Sequence, residues 1–167
     1  MSKLITGIFT SRVRAEQAVD ELMRAGFATE DVSLLMSEST QGREFAIKRS
    51  TKAPEAAATG AALGGVLGAV AAGLAAVGSI TVPGLALVAA GPVVAALTGL
   101  GVGAAAGGLT GALIGLGVPE HEAKFYAKEI EKGGILVGVY SHNDKVELAR
   151  DILNAAGADK VTKGSPA

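Results

Sequence analysis

Between Ala56 and Pro119 the chain runs for 64 residues without a single Asp, Glu, Lys, Arg or His. Nothing else in the sequence constrains the fold as strongly. The backbone of such a segment has to satisfy its own polar groups, either in lipid or against other protein. Sixteen of the 24 glycines lie in this window, and glycine as a whole stands at about twice its ordinary share. Both flanks are ordinary charged sequence.

The window reads as two apolar helical stretches, residues 57–77 and 93–116, joined by an uncharged connection over 79–92 that holds Pro83 and Pro92. Each stretch is roughly 30 Å long at 1.5 Å per residue, enough for a hydrocarbon core of similar thickness. Glycines recur every fourth position: Gly60, Gly64 and Gly68 in the first stretch, and Gly99, Gly103, Gly107, Gly111 and Gly115 in the second. Each step of four advances such a stripe by about 40°, which winds a flat groove around the helix for a closely crossing partner. An interior glycine costs about 1 kcal/mol against alanine in water. Lipid enforces the helix, and close packing recovers the loss, so the glycines are read as helix-packing positions. Arg43, Lys48, Arg49 and Lys52 precede the window and Lys124, Lys128 and Lys132 follow it. On the positive-inside rule both ends stay in the cytoplasm, with the hairpin in the inner membrane. The alternative is a cytoplasmic homo-oligomer that buries the hairpin between subunits.

Outside the window lies an internal repeat. Gly7-Ile8-Phe9-Thr10 and Gly138-Val139-Tyr140-Ser141 share the order glycine, β-branched, aromatic, hydroxyl, and the offset carries on to Ala18 and Ala149, Leu22 and Leu153, and Gly26 and Gly157. Each copy reads as strand, helix, strand. Residues 4–10 and 135–141 are short β-rich runs. Ala15, Ala18, Val19 and Leu22, and then Val146, Ala149, Ile152, Leu153 and Ala156, recur at helical spacing. Gly26 and Gly157 stand where left-handed helix ends belong, and Asp144 with Glu147 forms a candidate capping box. Residues 44–49 are a candidate extension of the preceding strand. Pro119 opens a further helix whose apolar line is Ala123, Tyr126, Ala127 and Ile130. Two such units predict an α+β, ferredoxin-like sandwich interrupted by the inserted glycine-rich helical hairpin. The expected organisation is a split domain, residues 1–52 and 118–167, around an insertion over 53–117.

Chemistry is sparse. There is no cysteine, so thiolate nucleophiles and thiolate metal sites are absent. The net charge of −1 gives no electrostatic footprint for nucleic acid. Gly101, Gly103 and Ala106, with Glu120 further on, imitate a dinucleotide fingerprint, but the glycines continue as a helix where a strand-to-helix turn is required. His121 and His142 are the only histidines and read as surface residues. No catalytic, cofactor or metal constellation emerges, and no enzyme is expected. Phe9 and Tyr140, at equivalent repeat positions, are expected on one sheet face, where they suit self-association better than RNA stacking because no basic residue leads the strand. A ligand-sensing module, its small molecule unknown, is a further reading.

Five strings carry a resemblance: KAPEAAATGAALGG (52–65), VPG (82–84), AGP (90–92), GGLTGALIGLGVPEHEAKFY (107–126) and GGILVGV (133–139). They resemble a bacterial family of general stress or low-temperature-induced proteins, many described as predicted membrane proteins. That resemblance implies a stress-associated, non-enzymatic protein with a glycine-zipper segment, and it supplies no catalytic residues.

Overall fold

A computed structural model describes residues 3–28, 31–37, 79–82, 85–90, 101–142 and 144–164. Six strands and four helices follow one another along the described chain: β1 (Lys3–Phe9), α1 (Arg12–Arg24), β2 (Val32–Ser37), β3 (Ser79–Val82), β4 (Leu85–Ala90), α2 (Gly101–Gly115), α3 (Glu120–Glu131), β5 (Ile135–Ser141), α4 (Val146–Ala155) and β6 (Lys160–Gly164). The strands form one sheet in the order β3-β4-β2-β5-β1-β6, with antiparallel pairing throughout. At its centre β1 runs against β5, with Thr6 opposite Gly138 and Gly7 opposite Val137.

Two cores sandwich this sheet. On one face Ile5, Phe9, Val137 and Val139 pack with Ala15, Ala18, Val19 and Leu22 of α1 and Val146, Ala149 and Leu153 of α4. On the other, Leu4, Ile8, Leu35 and Leu136 pack with Leu109, Ala112, Leu113 and Leu116, then with Ala123, Tyr126, Ala127 and Ile130 of α3. Covering on both sides explains why β2 is buried at every position and β1 at all but Lys3. The apolar lines read for α1 and α3 are the ones buried. Gly26 and Gly157 take φ of +84° and +85°, as their places after α1 and α4 require. At the start of α4 the capping residue is Lys145 rather than Asp144, and no side chain bonds the first turn.

Three features depart from the sequence reading. Residues 79–90 are not a plain turn between helices. Their β-branched and aliphatic run folds as the hairpin β3–β4, and β4 pairs with β2 from Leu34 opposite Ala90 to Ser37 opposite Leu87. Next, α2 is not straight: Gly108, at φ 57° and ψ −149°, breaks it into two pieces. That backbone conformation is open to glycine and strained for other residues. The groove expected to run unbroken from Gly99 to Gly115 is therefore divided, with Gly103 and Gly107 before the break and Gly111 and Gly115 after it. Lastly, the described parts of residues 53–117, expected as an insertion, contribute strands to the same sheet and residues to its second core. Gly60, Gly64, Gly68 and Gly99, and residues 44–49, lie outside the described residues. Among the described residues no helix is long and apolar enough to cross a membrane.

Candidate self-association surface

After the break at Gly108, α2 turns Leu109, Ala112, Leu113 and Leu116 onto the sheet. The spacing of three and four places these residues on one side of the helix, so Gly111, Ile114 and Gly115 fall on the other. Ile114 is 41% exposed, one of three large hydrophobic residues left in the open among the described residues. Gly115 is exposed and Gly111 half-buried. The glycine side of this helical piece thus faces away from the sheet, flanked by an exposed isoleucine. Gly117, at φ +86°, then reverses the chain into α3.

The helix α3 is held by polar as well as apolar contacts. Tyr126 is fully buried, and its hydroxyl donates to the Thr6 carbonyl at 3.2 Å, with the Lys160 carbonyl at 3.4 Å. One turn earlier Glu122 meets Lys160 Nζ at 2.7 Å and His121 Nε2 at 2.9 Å. The Lys160 ammonium also stands 5.3 Å from the centre of the Phe125 ring. These contacts join α3 to β1 and to the edge strand β6, whereas the apolar α2 meets the sheet through aliphatic contacts.

Burial pushes the Tyr126 phenol above its ordinary value of 10.0, against the pull of hydrogen bonds from Thr162 and Thr6. An acid whose folded value is raised stabilises the fold fully below its unfolded value, and this contribution disappears as pH rises through the folded value. Unfolding free energy is therefore expected to fall above about pH 10. Tyr126→Phe is expected to flatten that alkaline limb in urea titrations, at a cost of about 1 kcal/mol near neutrality for the lost hydrogen bond.

Phe9 and Tyr140 do not share a face. Phe9 is fully buried under α1 and α4, while Tyr140 packs at the margin of the opposite core. The reason is register. Direct partners in an antiparallel pair lie on one face, and Gly138 is opposite Thr6, so Gly7 and Gly138 point opposite ways. A slip of one residue exchanges every side chain between faces. The helices keep the repeat offset, Ala15 with Val146 and Leu22 with Leu153, and the second copy has the longer strand-to-helix connection, 142–145 against 10–11. The two residues expected on one self-association face are thus divided, with α1 and α4 covering the Phe9 side and α2 and α3 the Tyr140 side.

A cleft of about 350 Å³ opens where β5 passes into α4, lined by Phe27, Asp31, Tyr140, His142, Asp144 and Lys145 among others. Its ammonium is engaged within the chain: Lys145 Nζ donates to the Gly26 carbonyl at 3.4 Å and stands 5.5 Å from the Phe27 ring centre. Burial raises the Tyr140 phenol as well. The sequence reading passed over this cleft because its walls come from two connections more than 100 residues apart in the chain. No protein-family model, curated protein or solved structure matches the chain.

Among the described residues no group of His, Cys, Asp or Glu could hold a metal ion. Gly101 and Gly103 lie within α2, and Glu120 is paired with Lys124 at 2.6 Å, which holds its carboxyl below the usual range. The imitation of a dinucleotide fingerprint therefore leads to no shared site. Of the packing glycines predicted, Gly111 and Gly115 are the pair whose exposure the described structure gives.

Proposed function

We propose that this is a non-enzymatic, stress-associated association module with a ferredoxin-like core, and that copies of it join through the outward glycine side of α2. The single observation that carries the reading is the two-sidedness of α2, with leucines on the sheet and Gly111, Ile114 and Gly115 turned away. Backbones approach closely over glycine, and an exposed isoleucine beside that groove gives the contact its apolar area. The strand order β2-β5-β1-β6, with α1 and α4 in one core, supports the split β-α-β arrangement. The strings shared with stress proteins supply the cellular setting.

Lipid is the second reading, and the uncharged window from Ala56 to Pro119 favours it. The protein is then an inner-membrane protein with its core in the cytoplasm. Gly111→Leu and Gly115→Leu separate the two. Both substitutions raise helix propensity, so folding is not the confounding variable. Expected is a wild-type mass by light scattering that is a multiple of the monomer, and a lower mass for each variant. An unchanged assembly in both variants removes the α2 contact. Retention of the wild type in carbonate-washed membranes, without a soluble assembly, transfers the reading to lipid.

A further inference from the structure

We infer that the cleft between the α1–β2 and β5–α4 connections binds a small organic amine, and that Lys145 occupies its ammonium position from within the chain. The inference is independent of how copies of the chain associate. It starts from the unequal ends of the repeat. Both connections at this end are longer than their counterparts, 25–31 against 156–159 after the helices and 142–145 against 10–11 before them. At the short end the Asp159 N–H donates to the Ile8 carbonyl at 2.9 Å, which closes the turn onto β1. At the long end the Asp31 N–H is used inside its own turn, on the Ala28 carbonyl at 3.0 Å. The cleft of about 350 Å³ opens there, at the small end of the roughly 300–1,000 Å³ usual for ligand pockets.

Lys145 shows what chemistry the wall accepts. Its ammonium donates to the Gly26 carbonyl, at the negative end of α1, and stands near the Phe27 ring. A carbonyl at a helix end and an aromatic face are both partners for a cation. The bond of 3.4 Å is long, so little is lost when another ammonium takes its place. Asp31 and Asp144 line the same cleft and pair with no cation among the described residues. With His142 uncharged, two carboxylates against one engaged ammonium leave the cleft net negative, which disfavours a phosphate or a carboxylate. No group of described residues here could hold a metal ion, and Phe27 offers an apolar surface that a hydrated ion does not use. An amine carried on an apolar body uses the ring, the carbonyl and the carboxylates together. To reach the ring and the carbonyl it displaces Lys145, so the lysine is a built-in competitor.

The test titrates the full chain with phenethylamine and with 3-phenylpropionate, which carry the same ring and opposite charges, and follows the backbone amides of Phe27, Asp31 and His142 by NMR. Phenethylamine is expected to shift these amides and 3-phenylpropionate to leave them in place. Asp31→Asn and Asp144→Asn are each expected to weaken the amine by about threefold, the scale of a partly exposed charge pair. Lys145→Met keeps the apolar stem and removes the competing charge, so it is expected to tighten the amine several-fold. Lys128→Met removes the same charge from α3, away from the cleft, and is expected to change nothing. Lys145→Gln supplies the same readout if the methionine variant does not fold. Weaker amine binding in the Lys145 variants, or preference for the propionate, overturns the inference. So does a lack of amide shifts with phenethylamine in both wild type and Lys145→Met. Light scattering on the same samples reports the α2 contact separately, so either reading can fail without the other.

Discussion

Replacing Phe9 with alanine is expected to lower the unfolding free energy by about 3–5 kcal/mol, the range for truncating a fully buried phenylalanine. The side chain sits among Ala15, Val19 and Leu153 in the core under α1 and α4, where a rigid sheet and two helices leave little room for collapse. Tyr140→Ala is expected to cost clearly less, because that ring lies at a core margin and keeps part of its surface in water. Urea denaturation of the two variants checks this directly. Equal losses would show that the faces are assigned wrongly, since the repeat treats the two aromatics as equivalent.

The second large effect is expected from Leu113→Asp. Leu113 is buried between α2 and the sheet, in the company of Leu4, Leu35 and Leu136. A carboxylate there meets no cation among the described residues, and burying an unpaired polar or charged group costs several kcal/mol. The introduced acid answers with a folded pKa above its unfolded value of about 3.9, so the variant comes closest to wild type below about pH 4 and loses stability as pH rises. Hydrogen exchange is expected to show Leu109–Leu116 released while Glu120–Glu131, held by Tyr126 and by Glu122 with Lys160, stays protected. A variant as stable as wild type at neutral pH would mean that α2 does not lie on the sheet in solution.

Much of the local structure was legible because it depends on near neighbours. The buried positions of α1 and α3 follow from apolar spacing, and the turns at Gly26 and Gly157 follow from the need for positive φ after a helix. Residues 79–90 misled because an uncharged run with two nearby prolines fits a turn between membrane helices and a β-hairpin equally well. Its β-branched content became decisive only with β2 alongside to pair with. The break at Gly108 was hidden in a different way, since a stripe of glycines at every fourth position says nothing about which of them leaves the helix.

The sequence by itself determined the elements that close over short distances: the repeated strand-helix-strand units and the helix after Pro119. Only the tertiary structure decided which surfaces those elements share. The register of β1 against β5 separated Phe9 from Tyr140, because side chains alternate with a period of two and an odd mismatch between repeat and register reverses them. The packing of Leu109, Leu113 and Leu116 on the sheet decided which side of α2 the glycines face. Hydrophobic burial is non-directional, so an uncharged stretch of chain carries no instruction about its partner until a complementary surface is folded beside it.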